Sequence, residues 1–184
     1  MDIAYQSWRR LERVYWLLPL AFVIHDGEEL LTMPAWVATH RAALADVART
    51  LGLGDDFVES LPTTIAEAAG AIGFLFVIFV GVTLGATMRR GRGLWQYAYA
   101  SVLGVFFLHL FTHVAQCIYF GGYTPGAVGA VVAGAPASVY IYRELFGAKL
   151  LSGRTAVVTA LIGLALFVPG VLFAQRIGHL FASQ

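Results

Sequence analysis

The chain has 184 residues, 59% hydrophobic and only 12% charged, with a formal net charge of +1 and mean hydropathy +0.73. An average soluble domain is about 25% charged, and one of this size could not hide so much apolar side chain and still cover its surface. Soluble enzymes, disordered regulators and nucleic-acid binders are therefore poor readings, the last also for want of a basic field. The lone Cys117 allows neither an intrachain disulfide nor a zinc–thiolate cluster.

The expected fold is all-α: a single integral membrane domain over residues 1–184, built as a polytopic bundle of five transmembrane helices. Apolar runs long enough for the roughly 20 residues that a bilayer requires cover about Val14–Met33, Ala66–Met88, Leu94–Phe120, Pro125–Tyr142 and Thr155–Ala174. Helices follow, because only they satisfy an open-ended backbone in lipid. Between the first two spans, Trp36, Val37, Leu44, Val47 and Leu51 recur at helical spacing among His40, Arg41, Asp46 and Arg49. This pattern predicts an interfacial helix between the first and second spans. Gly52, Gly54 and Asp55 would end it, and Pro62, Thr63 and Thr64 would lead into span two.

Arg9, Arg10 and Arg13 before Val14–Ile24 imitate a signal peptide, but no small-x-small cleavage site follows. The segment reads as a retained first helix. Nine of the twelve Lys and Arg residues fall on the amino-terminal tail and on the loops after spans two and four. The expected location is the plasma (cytoplasmic) membrane, with the amino terminus cytoplasmic and the carboxyl terminus outside.

Ionisable groups inside spans are costly, at about 2.5–3.5 kcal/mol each at a helix centre, so their positions carry the functional signal. Span one ends in His25-Asp26-Gly27-Glu28-Glu29. On a helix His25 lies one turn below Glu28 and Glu29. Span three places His109 and His113 one turn apart, and Glu67 opens span two. At 1.5 Å per residue, His25–Glu29 and His109/His113 both fall roughly 17–24 Å above their cytoplasmic starts, with Glu67 slightly beyond.

Imidazoles and carboxylates meeting in this way suit a divalent transition metal: zinc, iron or manganese, as one ion or two. The candidate ligands are His25, Glu28, Glu29, His109, His113 and Glu67. Glu67 in a first helical turn is also served by the helix dipole alone. Asp26 and Gln116 are expected to support the ligands, and Cys117 to pack. His40 and His179 are expected at the interface.

His25-Asp26-Gly27-Glu28-Glu29 followed by Met33-Pro34-Ala35-Trp36, then His113, Tyr123-Thr124-Pro125-Gly126 and Pro136, resembles the HXXEE-motif family of small prokaryotic integral membrane proteins. The resemblance spans about Leu18 to Arg143. It implies that these polar residues form the site, and it brings no settled activity. The family typically has Asn four residues before its second histidine, where this chain has His109. Direct ligation by His109 and a hydrogen-bonding role both stay open.

The leading expectation is an intramembrane metal-dependent enzyme acting on a lipid or other hydrophobic small molecule, with Glu28 or Glu67 as general base. A metal-independent acid–base lipid isomerase and a non-enzymatic carrier or sensor of a metal ion, proton or small hydrophobe are the alternatives. Gly- and Ala-rich faces of spans two and four could pack within the chain or between copies in a homo-oligomer.

Overall fold

A computed structural model describes residues 3–183; Met1, Asp2 and Gln184 of the expected 1–184 unit lie outside the described residues. The described residues form helices in the order α1 (Ile3–Tyr15), α2 (Leu17–Thr50), α3 (Asp55–Ser60), α4 (Ile65–Met88), α5 (Leu94–Phe120), α6 (Ala127–Gly129), a π-helical turn (Ala130–Gly134), α7 (Ala135–Gly147) and α8 (Gly153–Ala182). The all-helical expectation holds.

The expected count of five spans does not. Three helices, α4, α5 and α8, are long and apolar enough to cross a membrane, which is consistent with a membrane location. The first expected span lies mostly in α2, whose Asp26, Glu28 and Glu29 interrupt the apolar run. The fourth is divided among α6, the π turn and α7. Pro136 has no N–H to return to the preceding turn, so the helix widens just before it.

The interfacial helix is not a separate element either. Residues 34–50 continue α2 through Pro34, and only Asp55–Ser60 stands apart as α3. A proline inside a helix costs one hydrogen bond and need not end the helix. A sharper break occurs earlier, between α1 and α2. Pro19 cannot donate to the Tyr15 carbonyl, which accepts from the Tyr99 hydroxyl instead at 3.1 Å. The flanking bonds of Trp16 and Leu20 are stretched to 3.4 Å.

Small residues set the closest helix crossings. A Cβ on Gly104 of α5 would lie 2.8 Å from the Ala160 Cα of α8, and one on Gly70 of α4 would lie 2.8 Å from the Gly178 Cα. Such approaches replace the hydrophobic driving force that lipid removes. The glycine stripe after span three is also used within the chain: a Cβ on Gly129 would meet the His25 Cα at 2.7 Å, and one on Gly134 would meet Leu110.

One end of the bundle gathers three basic segments. The Tyr15 hydroxyl donates to Gln96 at 2.6 Å, Gln96 donates to the Leu150 carbonyl at 3.3 Å, and Arg10 pairs with Glu144. The tail of α1, the α4–α5 loop and the α7–α8 loop therefore share that end. Further along, Phe22, Phe79 and Phe106 form an aromatic layer, with centroids 4.2–6.4 Å apart. His25 sits edge-on to Phe106 at 5.7 Å. That layer is the floor of the polar group described next.

Candidate metal centre

Four residues from two helices converge above the phenylalanine layer. His25 and Glu29 lie on one face of α2, and His109 and His113 lie on one face of α5. One ligand atom from each lies within 4.8 Å of the other three. The Nε2 atoms of His25, His109 and His113 are 3.9, 3.9 and 3.2 Å from Glu29 Oε1, and those of His109 and His113 are 2.9 Å apart. His25, Glu29 and His113 are buried. His109 is half-buried, beside Phe167 of α8.

The hydrogen bonds around the rings decide which nitrogen faces inward. His25 Nδ1 lies 3.1 Å from the Gly126 carbonyl and His113 Nδ1 lies 2.8 Å from the Pro125 carbonyl. A carbonyl only accepts, so both Nδ1 atoms carry the proton. Thr112 gives its hydroxyl proton to the His109 carbonyl at 2.6 Å. Its oxygen lies 3.3 Å from His109 Nδ1. The neutral His25 and His113 rings thus turn an Nε2 lone pair toward Glu29, the orientation that metal-bound histidines owe to partners on the far nitrogen; His109 Nε2 lies within hydrogen-bonding distance of His113 Nε2.

Without a cation this arrangement is unfavourable. His25 Nε2 and Glu29 Oε1 are buried with no hydrogen-bond partner among the described residues. An orphaned buried polar atom costs about 1–3 kcal/mol. Metal–nitrogen bonds of about 2.0–2.1 Å at angles of 90–110° separate neighbouring ligand atoms by about 2.9–3.4 Å. The 2.9 and 3.2 Å pairs already fall in that range, and the 3.9 Å pairs are about half an ångström wider. Three imidazoles and one carboxylate suit zinc, iron or manganese.

Glu28 is adjacent but turned elsewhere. Its carboxylate accepts from the Tyr123 hydroxyl at 2.6 Å, from the Val128 N–H at 3.3 Å and from the Gly129 N–H. It fastens α2 to the first turn after Gly126, where backbone N–H groups are otherwise unpaired. Burial and the Glu28 carboxylate both raise the pKa of the covering Tyr123 hydroxyl. Asp26 is buried, with Oδ2 unpartnered among the described residues, and does not join the four.

Glu67 is not brought to the group. Its Oε2 accepts from the backbone N–H groups of Thr63 and Thr64 at 2.7 and 3.1 Å, and Thr64 Oγ1 accepts from the Glu67 N–H. This is a capping box. The other carboxylate oxygen lies 3.3 Å from His179 Nδ1. His179 thereby ties α8 to α4, where only an interfacial position was expected.

Three parts of the site escaped the reading of ionisable residues: the Pro125 and Gly126 carbonyls, and Gly126 itself. Gly126 has φ +83°, and a Cβ there would lie 2.6 Å from His113 Cε1 and 2.7 Å from Glu29 Oε1. Only glycine allows both the backbone conformation and the approach. The Tyr123-Thr124-Pro125-Gly126 tetrapeptide was the available signal.

No curated protein and no solved structure matches the chain. The pattern describing proteins of unknown function with an HXXEE motif matches residues 16–141, from the α1–α2 break into α7. That stretch holds both site helices and the Pro125–Gly126 strap. With His25 and Glu29 of the motif supplying two of the four converging groups, the chain belongs to the HXXEE family of unknown function.

Proposed function

We propose that this protein binds one divalent transition metal through His25, Glu29, His109 and His113, and uses it as a membrane-embedded enzyme on a lipid or other hydrophobic substrate. The observation that carries the metal reading is the set of three imidazole Nε2 atoms and one buried carboxylate oxygen turned to a common point, with His25 Nε2 and Glu29 Oε1 buried and unpartnered among the described residues. Bound there, a metal supplies Lewis acidity or an activated water.

The chain's own residues define the rest. The Pro125 and Gly126 carbonyls fix two rings, and Glu28 with Tyr123 closes the side facing the α5–α6 connection. His109, half-buried against Phe167, is the member nearest an open face. An apolar floor of Phe22, Phe79 and Phe106 favours a hydrophobic substrate. The engaged Glu28 is a positioning residue in this reading, and Glu67 takes no part in the chemistry. The basic end of the bundle faces the cytoplasm.

Elemental analysis of detergent-purified protein tests the metal: about one transition-metal ion per chain in wild type, and loss in His25→Ala and His113→Ala. Metal-free wild type after growth in metal-supplemented medium defeats it. Turnover is tested by incubating metal-loaded protein in vesicles of mixed membrane lipids and following products by mass spectrometry. Products with wild type and none with His113→Ala are expected. Stoichiometric metal without products for either would leave a metal carrier or sensor.

A metal-free alternative draws on one distance. His113 Nε2 and Glu29 Oε1, at 3.2 Å, could share a proton and act as an acid–base pair. Activity surviving exhaustive chelation would favour it.

A further inference from the structure

A cavity remote from the four converging residues lies at the basic end of the bundle. It has a volume of about 430 Å³ and is lined by Arg10 and Leu11 of α1 and by Arg143, Glu144, Gly147 and Ala148 at the end of α7. That volume is in the range of small-molecule sites. Its lining mixes the apolar Leu11, Gly147 and Ala148 with the charged Arg10, Arg143 and Glu144.

The charges do not cancel. Arg10 Nη2 reaches both Glu144 oxygens, at 2.8 and 2.9 Å, so this carboxylate is already neutralised. The Arg10 pKa is raised by hydrogen bonding to Tyr140 and by the Glu144 charge. Arg143 also lines the cavity, is exposed, and makes no ion pair among the described residues. One net positive charge is left among the apolar lining residues. Trp16, Tyr140 and Phe146 are exposed on the adjoining segments, as in an aromatic belt at headgroup level.

We infer that this cavity binds an anionic phospholipid, with Arg143 meeting the headgroup phosphate and Leu11, Gly147 and Ala148 receiving the start of the acyl region. A basic pocket between helices at a membrane face is suited to such headgroups. A free phosphate would make no use of the apolar residues. The inference is independent of the metal centre.

Native mass spectrometry of protein in neutral detergent, titrated with phosphatidylglycerol or phosphatidylcholine of identical chains, tests it. Wild type should retain phosphatidylglycerol preferentially. Arg143→Gln should weaken retention about fivefold, one cation's share of the attraction at a charged surface. Glu144→Gln should strengthen it, by releasing Arg10 from its partner. Arg92→Gln, at the same end but outside the cavity, should have no effect. Metal content should be unchanged in all three. Equal retention of the two lipids by wild type would overturn the proposal. So would equal loss in Arg92→Gln and Arg143→Gln, which would indicate general surface charge. Full displacement of the lipid by millimolar inorganic phosphate would assign the site to a soluble anion.

Discussion

Replacing Gly126 by alanine separates the strap from the ligands it holds. The added Cβ would stand 2.6 Å from His113 Cε1, 2.9 Å from His113 Nδ1 and 2.7 Å from Glu29 Oε1. Non-bonded carbon atoms rest at about 3.5–4.0 Å, so the His113 ring must withdraw by about 1 Å. Metal–ligand distances tolerate about 0.2 Å. The bond from His113 Nδ1 to the Pro125 carbonyl, now 2.8 Å, would be strained by the same movement. Loss of a supporting bond of this kind costs about 10–100-fold in metal affinity, or about 1.4–2.8 kcal/mol. Placing a side chain at φ +83° adds roughly 1–2 kcal/mol of backbone strain, which falls on folding stability rather than on affinity. A chelator-competition titration reads the first effect and thermal melting reads the second. Gly122→Ala is the control, since nothing lies within 4 Å of a Cβ there. Gly126→Ala binding metal within about twofold of wild type would refute the strap's role.

Other outcomes follow from the same geometry. Glu67→Ala should leave metal content unchanged and lower stability by about 1 kcal/mol through loss of the capping box; metal loss would place Glu67 at the centre after all. Tyr123→Phe removes one of three hydrogen bonds to Glu28. A stability loss of about 1 kcal/mol with full metal content is expected on melting. Metal affinity should fall on acidification, because protons compete with the ion for the Nε2 lone pairs and for the Glu29 carboxylate. Affinity that did not fall at any pH at which the protein stays folded would mean that these groups do not bind the ion.

The spacing of His25 with Glu29, and of His109 with His113, was legible because four residues make about one helical turn. Their meeting could be argued only from depth along two separate spans. The division of labour between Glu28 and Glu29 was not legible. The two differ by 100° around α2, and what Glu28 faces is set by residues 123–129, a hundred positions later. Glu67 carried a signal that its charge obscured, since Thr64-x-x-Glu67 is the spacing of a capping box. The span count failed at the site itself. The three acids that interrupt α2, and Pro136 in the first turn of α7, lie in the runs that no longer qualify as uninterrupted apolar helices.

X-ray absorption spectroscopy at the metal edge of the purified protein tests the central claim most directly. The account predicts light-atom ligands at about 2.0–2.1 Å with the multiple-scattering signature of two or three imidazoles, diminished in His113→Ala. A sulfur shell, a wholly aqueous ion, or a spectrum unaltered by His25→Ala and His113→Ala would contradict it.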